Sequence, residues 1–437
     1  MDYRESLSYL EGLNVFGSKL GLSRIERLTE LLGHPERRYR TVHVTGTNGK
    51  GSVSAMTAAI LTKSGLKTGL YTSPHLTAYT ERFVIDGECA SEADFAAAVS
   101  AAAAAAQQML AEGLEQPTEF EVLTAAAFVY FAEKAVDYAV IEVGLGGLLD
   151  STNVIMPEVS VITNVALEHA DRCGGTLAGV ARHKAGIIKA GVPVVTAAAG
   201  MPLDVVRQKA EEEGSDIFVL GEDFCVAPPK KADVSKIEIE FSSELLGIRA
   251  AHYALALGGA YQRKNAALAV MTAALLAEAH PSITQAAIAA ALQKVKWPGR
   301  FERFTLAGTT VVVDGAHNPA GAAALRESLD ACFPDEARVF LLGILADKDY
   351  AAMLRTLLRA GDRVVVTRPF SERAGDPEDL ARLAREITGE VEVVRAADEA
   401  LTRALAWATE ERILCAAGSL YLIGELRRSL LERGGFA

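Results

Sequence analysis

The chain has 437 residues, half of them hydrophobic, and a formal net charge of −12 at pH 7. It is longer than one average domain, so we expect two or three domains with sizeable cores. The negative charge argues against nucleic acid or an anionic membrane as the main partner, and a bound phosphate would have to be held by local geometry and metal ions.

Five cysteines are scattered along the chain without the spacing of metal ligands. The first residues are charged and lack the apolar segment of a signal peptide, and no apolar run is long enough to span a bilayer. A reducing compartment suits such cysteines best. The sequence therefore predicts a cytoplasmic protein that binds neither nucleic acid nor membrane, and we expect a monomer.

In chain order, two predicted helices with leucines at helical spacing come first, and a strand rich in β-branched residues follows at 40–44. That strand stops in the phosphate loop, which we define as residues 46–52, with the sequence Gly46-Thr47-Asn48-Gly49-Lys50-Gly51-Ser52. Glycines let the backbone turn its N–H groups toward an anion, and the following helix N-terminus and Lys50 add positive charge. The stretch predicts a bound nucleoside triphosphate, with the Ser52 hydroxyl on its magnesium ion.

Two details of the phosphate loop depart from the standard motif, and one is that Val44 or Thr45 lies near the position of its upstream glycine. That motif places Ser or Thr directly after the lysine, whereas Gly51 stands between Lys50 and Ser52 here. An ordinary glycine-rich turn with a solvated lysine is the alternative interpretation of these residues.

Polar residues also mark the ends of later predicted strands, where ligands usually lie in α/β sheets. The strand at 67–71 runs into Thr72-Ser73-Pro74-His75-Leu76, and His169 follows the strand at 158–164. Glu142 lies within the apolar strand at 138–143, and burying its carboxylate is costly unless a cation meets it. We predict a magnesium ion there, with a buried ion pair or an exposed strand end as the alternatives.

The remaining predicted elements alternate between strand and helix, which indicates a mostly parallel sheet wound on both faces. Predicted helices span 91–112, 119–134, 180–189, 260–279 and 283–295, and a further strand spans 192–196. Between residues 223 and 257 short alternating stretches replace this rhythm, which predicts a small antiparallel side sheet.

Lys296-Trp297-Pro298-Gly299-Arg300 is typical of a hinge, because Pro-Gly cannot continue a helix. After it a second, smaller α/β unit is predicted from strands at 310–314, 339–343, 363–367, 391–394 and 413–416. Its first strand ends in Asp314-Gly315-Ala316-His317-Asn318-Pro319, and its last in Gly418-Ser419-Leu420-Tyr421. We therefore predict domains at 1–296 and 297–437.

Six stretches, in this order, resemble the signatures of the folylpolyglutamate synthase/dihydrofolate synthase family, within the Mur ligase superfamily. They are Thr45-Gly46-Thr47-Asn48-Gly49-Lys50-Gly51-Ser52, Tyr71-Thr72-Ser73-Pro74-His75-Leu76, Glu142-Val143-Gly144-Leu145-Gly146-Gly147, Lys184-Ala185-Gly186-Ile187-Ile188-Lys189, Asp314-Gly315-Ala316-His317-Asn318-Pro319 and Gly418-Ser419-Leu420-Tyr421. The resemblance runs from about residue 20 to 427. It also accounts for Gly51, since this family has a glycine between the lysine and the hydroxyl residue.

The resemblance implies an N-terminal P-loop ATPase-type domain that binds ATP and folate, followed by a Rossmann-like domain. It implies an ATP-dependent ligase that phosphorylates a carboxylate and lets the amino group of L-glutamate attack the acyl phosphate. The carboxylate is the γ-carboxyl of a folate or that of dihydropteroate, and the sequence does not separate these two activities.

The resemblance also assigns roles to single residues. It implies catalytic roles for Lys50, Lys184 and His317, with Lys184 carried as a carbamate. ATP contacts are implied for the seven phosphate-loop residues and for Gln262, Asn265, Arg300 and Asp314. Two magnesium sites are implied, with Ser52 and Glu142 as ligands of one ion and His169 of the other. Substrate contacts are implied for Ser73, Pro74, His75, Arg82 and Ser419.

Some positions depart from the family pattern. Leu148 replaces the usual arginine after the paired glycines, and the loop after His169, which contains Arg172 and Cys173, has an unusual sequence. Arg172 is a candidate to supply the lost charge. Two other functions stay open: a Mur-superfamily amide ligase with another carboxylate acceptor, such as a cell-wall nucleotide precursor, or a non-catalytic ATP-binding homologue.

Overall fold

The computed structural model describes residues 1–13, 19–227, 237–306, 308–334 and 336–435. These residues form two compact units. The first contains 1–13, 19–227, 239–253 and 264–295, and the second contains 237–238, 254–263, 296–306, 308–334 and 336–435. Because the second unit includes residues from before the predicted hinge, the division at 296 and 297 stays a prediction.

The main sheet of the first unit has eight strands among the described residues. They are β1 (Arg40–Thr45), β2 (Thr68–Tyr71), β3 (Phe83–Ile85), β4 (Glu88–Cys89), β5 (Tyr138–Glu142), β6 (Val159–Ile162), β7 (Val194–Thr196) and β8 (Ile217–Val219). Their order is β4-β3-β2-β5-β1-β6-β7-β8, with the strands from β2 to β8 in this order parallel and with β3 and β4 antiparallel at one edge. The central strands β1 and β5 therefore bring their carboxyl ends to one edge of the sheet.

Helices cover this sheet so that all five residues of β5 are buried. The helices are α1 (Tyr3–Leu13), α2 (Ser23–Leu31), α3 (Lys50–Lys63), α4 (Glu92–Ala111), α5 (Glu119–Glu133), α6 (Leu177–Ala185), α7 (Met201–Glu212), α8 (Gln262–Leu276) and α9 (Gln285–Leu292). The alanines of α4 pack in one apolar core with α5 and with the aromatic residues Tyr71, Phe83 and Phe95. Within the described residues, no helix has the length and apolar character to cross a bilayer.

The predicted side sheet consists of β9 (Cys225–Ala227), β10 (Ile237–Ser243) and β11 (Ile248–Leu255), in the order β11-β10-β9. Strands β9 and β10 are antiparallel, and alternate residues of β10 are buried. This confirms the antiparallel sheet that the alternating pattern predicted.

The second unit has a six-stranded sheet in its described part. Its elements are β12 (Glu302–Leu306), β13 (Thr309–Asp314), α10 (Pro319–Cys332), β14 (Ala337–Leu342), α11 (Tyr350–Leu357), β15 (Arg363–Val366), α12 (Pro377–Arg385), β16 (Glu390–Val393), α13 (Ala397–Trp407), β17 (Arg412–Ala417) and α14 (Leu420–Glu432). The order is β12-β13-β17-β14-β15-β16, with β12 antiparallel to β13 and the other pairs parallel. The predicted fold class, two α/β units with a small antiparallel sheet, is confirmed.

Several elements differ from the predicted ones, and β3, β4, α7, β8 and α14 had no predicted counterpart. The helix predicted at 180–189 ends at Ala185, because the carbonyl of Gly186 accepts a hydrogen bond from Asn153 Nδ2 (3.0 Å) instead of continuing the helical ladder. The edge strand β12 was not predicted, since its short mixed sequence Glu302-Arg303-Phe304-Thr305-Leu306 gives a weak pattern.

Candidate active site

The phosphate loop joins the end of β1 to the start of α3, as predicted. Gly49 precedes the first helical residue, Lys50, in a left-handed conformation (φ 87°) that glycine adopts without strain. A Cβ atom on Gly46 would lie 1.8 Å from Oγ1 of Thr163, so no larger residue fits there. The loop glycines are thus required by backbone conformation and by close contact.

The phosphate loop is held by the segment that follows β6. Asn164 binds the backbone of Asn48 in both directions: its Oδ1 accepts from the N–H (3.1 Å) and its Nδ2 donates to the carbonyl (2.7 Å). The hydroxyl of Thr163 donates to the same carbonyl (2.6 Å), and Thr47 N–H donates to Asn164 O (2.9 Å). Thr163 and Asn164 are functional candidates that the motif analysis missed.

Lys50 and Asn265 both contact the phosphate loop. Lys50 Nζ donates to the carbonyl oxygens of Gly46 (3.1 Å) and Thr47 (3.2 Å). The buried Asn265 lies so close to Gly49 that a Cβ there would be 2.5 Å from its Oδ1. Gln262, the other predicted adenine contact, is the first residue of α8 and is buried. The structure therefore brings Asn265 to the loop that holds the predicted phosphates.

Glu142 lies at the end of β5, where its backbone is in register with Val44 of β1. Its carboxylate is buried and its Oε2 accepts a hydrogen bond from Ser73 N–H (3.2 Å). Ser52, in the first turn of α3, is buried as well. Because β5 and β1 are adjacent and parallel, Glu142 lies beside the start of the phosphate loop.

His169 lies in the loop after β6 and has a positive φ of 51°, which is uncommon outside glycine and typical of functional loops. Its carbonyl accepts from Cys173 N–H (3.0 Å), which closes the turn. Among the described residues, no three His, Cys, Asp or Glu side chains cluster as a metal site. A magnesium ion usually takes only one or two carboxylates and completes its shell with phosphate and water oxygens, so a hydroxyl and a carboxylate fit it.

Lys184 lies on α6 and is 6% exposed. Burial, aided by the ammonium group of Lys50, lowers the pKa of Lys184 to about 7, although Cys173 and Glu168 oppose this shift. The end of α6 packs tightly on the glycine run after β5, since Leu148 N–H donates to His183 O (2.7 Å). A buried lysine with a large neutral fraction at neutral pH thus lies near the phosphate-loop lysine.

The segment between β2 and β3 carries the predicted substrate residues Ser73, Pro74, His75 and Arg82. The Glu81 carboxylate organises it by accepting from the N–H groups of residues 76, 77 and 78. Arg82 Nε donates to His75 Nδ1 (3.0 Å), and burial together with the Arg82 charge lowers the pKa of His75 to about 4. Tyr79, which the motif analysis did not select, lies under the Arg82 guanidinium (5.2 Å to the ring centroid).

In the second unit, the carboxylate of Asp314 connects several backbone segments. It accepts from the Tyr261 hydroxyl (2.6 Å) and from the N–H groups of Phe301 (2.8 Å) and Ala316 (2.8 Å). Burial raises the pKa of Asp314, and these donors and Arg300 oppose the rise. The role of Asp314 in holding Phe301 and Tyr261 was not predicted from the motif.

Arg300 and His317 lie around Gly315. A Cβ on Gly315 would be 2.1 Å from Arg300 Nη1, so the guanidinium packs against this glycine. His317 Nδ1 donates to the Gly315 carbonyl (2.8 Å), which leaves Nε2 as the acceptor of the neutral ring. Ser419 is buried at the N-cap of α14, just after β17, whose Ala417 is in register with Asp314. Arg300, Asp314, His317 and Ser419 thus lie at one edge of this sheet.

Comparison with known proteins identifies the family. Residues 44–273 match the profile of the Mur ligase middle domain, and residues 299–420 that of the Mur ligase glutamate ligase domain. The chain is 38% identical to "Folylpolyglutamate synthase" of Lacticaseibacillus casei, over 99% of both chains. It is 33% identical to "Dihydrofolate synthase/folylpolyglutamate synthase" of Bacillus subtilis, over 98% of this chain and 99% of the relative.

A solved structure gives the same result. The folylpolyglutamate synthase of Mycobacterium tuberculosis, crystallised with ADP and AMPPCP, superposes with a TM-score of 0.87 at 33% identity, covering 98% of this chain and 99% of that one. Likeness of this extent, in sequence and in fold, over nearly the whole of both chains establishes the family that the six stretches predicted. The chain belongs to the folylpolyglutamate synthase/dihydrofolate synthase family of Mur ligases.

Proposed function

We propose that the chain is an ATP-dependent ligase that joins L-glutamate to the γ-carboxyl of a folate and also to dihydropteroate. The observation that supports this proposal is that Glu142 ends β5 beside β1, which leads into the phosphate loop, while the buried Lys184 interacts electrostatically with Lys50 of that loop. A B. subtilis relative with both activities in its name covers 98% of this chain. The L. casei relative, which covers 99% of it, is named for folylpolyglutamate synthesis alone, so the second acceptor needs a test of its own.

ATP is assigned to the phosphate loop because the related M. tuberculosis enzyme forms complexes with ADP and AMPPCP. In this assignment Lys50 and the backbone N–H groups at the start of α3 hold the β- and γ-phosphates. Gln262 and Asn265 are assigned to the nucleotide from α8. Phosphoryl transfer depends mainly on positioning and electrostatic stabilisation, and these groups supply both.

Ser52 and Glu142 would hold one magnesium ion, and His169 a ligand position of a second. When bound, such an ion neutralises negative charge on the transferred phosphoryl group. The chain itself orients the Glu142 carboxylate through Ser73 N–H, which joins the metal side of the site to the substrate segment. The donor set, a hydroxyl, a carboxylate and an imidazole, supports magnesium in combination with phosphate oxygens.

Lys184 is assigned a carbamate. Its neutral amine would attack carbon dioxide, form an N–C bond and release one proton, so that a neutral amine becomes an anionic carbamate. The lowered pKa of Lys184 supports this assignment, because the neutral amine is the reactive form. Two positive lysines side by side are unfavourable, so a carbamate at Lys184 would pair with Lys50 instead of repelling it.

The remaining residues are assigned to ATP, to the acyl phosphate and to the substrates. Arg300 and Asp314 are assigned to ATP, and His317, with Nε2 as acceptor, to the acyl phosphate and the attacking amine. Ser73, Pro74, His75, Arg82 and Ser419 are assigned to the substrates. The same proposal includes domains at 1–296 and 297–437, a monomeric state and a cytoplasmic location. The five cysteines form no disulfide, which supports the location.

Mass spectrometry of the product tests the proposal. Purified protein with ATP, magnesium and L-glutamate should convert a reduced folate monoglutamate into a species carrying one additional glutamyl residue. Product from a cell-wall nucleotide precursor but from no folate would favour the other Mur-ligase function. ATP binding without any product from either acceptor class would favour a non-catalytic homologue.

A further inference from the structure

The substrate segment, which we define as residues 72–82 between β2 and β3, contains Arg82, whose guanidinium group is contacted on one side only. Arg82 Nε donates to His75 Nδ1 (3.0 Å), and the guanidinium plane lies over the ring of Tyr79 (5.2 Å). In the described part of the chain, no carboxylate lies within ion-pair distance of Arg82, and neither terminal amino group donates a hydrogen bond. The two terminal amino groups of the guanidinium are therefore not hydrogen-bonded to those residues.

Tyr79 is itself fixed by two contacts. Its ring packs against the His75 ring (4.4 Å between centroids), and its hydroxyl donates to Glu119 Oε1 (2.8 Å). Burial and the Glu119 carboxylate raise the pKa of Tyr79, so the hydroxyl keeps its proton at neutral pH. Glu119 is the first residue of α5, a helix whose start is closed by a capping box between Thr118 and Glu121. Tyr79 thus connects the Arg82 side chain to a rigid helix.

Backbone hydrogen bonds also connect Arg82 to Glu142, the residue predicted to hold magnesium. Thr72 N–H donates to Arg82 O (3.3 Å), and the next residue, Ser73, donates its N–H to the Glu142 carboxylate. The fork of an arginine matches the two oxygens of a carboxylate, and a side chain already held in place loses less entropy on binding it. A carboxylate is the group that the proposed reaction brings to this segment.

We propose that Tyr79, anchored by Glu119, is a positioning residue that holds Arg82 so that its two terminal amino groups bind a carboxylate of the acceptor substrate. This inference rests on the proposed function and adds to it a residue outside the family stretches. Tyr79 acts through Arg82 and does not touch the reacting atoms.

The test is a double-mutant cycle on steady-state kinetics, with the folate monoglutamate as acceptor. Loss of a charge-assisted bidentate contact in Arg82→Ala should raise the KM for acceptor roughly 10- to 100-fold. Tyr79→Leu should raise it roughly 3- to 30-fold, the range of a lost cation–π contact and a loosened side chain, with the KM for ATP unchanged. Tyr79→Phe keeps the ring but loses the bond to Glu119, so its KM for acceptor should lie between those of the parent and of Tyr79→Leu.

The decisive variant combines both changes. If Tyr79 acts through Arg82, Tyr79→Leu has no further effect on the KM for acceptor in an Arg82→Ala background. Additive effects, or a loss of kcat with an unchanged KM for acceptor, would overturn the inference while leaving the proposed function intact. Absence of acceptor-dependent turnover in the parent enzyme would instead overturn the proposed function and the inference with it. Thermal unfolding of each variant verifies that the fold is kept.

Discussion

Gly46 packs closely against Thr163, and this contact determines which residues can replace Gly46 in the phosphate loop. A Cβ at Gly46 would lie 1.8 Å from Thr163 Oγ1, and that hydroxyl is already committed to the Asn48 carbonyl. A substitution at Gly46 therefore displaces the side chain that holds the loop. Single residues here affect nucleotide binding through the shape of the backbone as well as through charge.

Gly46→Ala should raise the KM for ATP strongly or abolish activity, because the added methyl group displaces Thr163 and the φ of 148° disfavours alanine. Removing the hydroxyl with Thr163→Ala in the same chain should recover part of the activity. Gly12→Ala, in α1 with no atom within 4 Å of the new Cβ, is the matched control and should have no effect. A normal KM for ATP in Gly46→Ala would show that the loop geometry is wrong.

Lys50→Ala should lower turnover by about 10²–10³ or more, since one well-placed donor to the transferred phosphoryl group has this effect. The fold should stay intact, because Lys50 Nζ donates to carbonyls of its own loop, those of Gly46 and Thr47. Magnesium and ATP should raise the Tm of the parent but not of this variant. Lys63→Ala, exposed at the end of α3, is the control. Near-normal turnover in Lys50→Ala contradicts the phosphate-loop assignment.

Lys184 should make activity depend on pH and on bicarbonate. Its pKa is about 7 in the folded chain and is that of an ordinary lysine when unfolded, so the neutral amine becomes abundant as pH rises through 7. Between pH 7 and the ordinary pKa of lysine, Lys184 binds more protons in the unfolded state than in the folded state. The free energy of unfolding should therefore rise with pH over this interval.

Activity measured after removal of carbon dioxide should therefore fall and should return on addition of bicarbonate, more fully at pH 8 than at pH 6. Lys184→Met should lose the bicarbonate response and the pH dependence of stability, whereas Lys63→Met should keep both. A parent enzyme indifferent to bicarbonate would contradict the carbamate.

Among the elements, the segment after β6 supports the phosphate loop. Asn164 and Thr163 make the contacts that a continuous motif cannot reveal, because they lie 115 or more residues away in sequence from the loop they hold. The motif itself was found because strand, glycines, lysine and helix follow each other directly. Glu142 was predicted because a carboxylate within an apolar strand needs a cation, and Lys184 because it belongs to a short stretch that resembles the family.

Asn164→Ala should raise the KM for ATP about 5- to 30-fold, the effect of losing two hydrogen bonds to the backbone of Asn48. The KM for the folate acceptor should change little, since these bonds hold the nucleotide side of the site. Gln108→Ala, on the exposed side of α4, is the control. Equal changes in both KM values would indicate a general loss of structure instead.

The elements of the two sheets were largely predictable, because buried parallel strands form continuous apolar runs and alternate with helices. The edge strand β12 and the end of α6 were not, since each depends on a neighbour: β12 on its pairing with β13, and α6 on the Asn153 side chain. Tyr261 illustrates the same limit in the second unit. Its bond to Asp314 joins positions 53 residues apart, and no local pattern marks it.

For the whole molecule, family membership and the described geometry support one reaction, and the departures from the family pattern concern the positioning of its substrate. Leu148 replaces the usual arginine, and its side chain is 43% exposed beside the glycine run after β5. Arg172, the candidate to replace that charge, makes an ion pair with Asp171 (3.8 Å). That Arg172 partly supplies the charge lost at Leu148 stays a prediction, and recovery of turnover by Leu148→Arg in an Arg172→Ala background would support it.

The most direct measurement of the central claim is phosphate release from ATP by the purified protein with magnesium and L-glutamate. Three reactions are compared: a reduced folate monoglutamate, dihydropteroate, and no acceptor. We predict that both acceptors stimulate release well above the third reaction. Stimulation by the folate alone would restrict the enzyme to polyglutamylation, and no stimulation by either acceptor would contradict the proposed function.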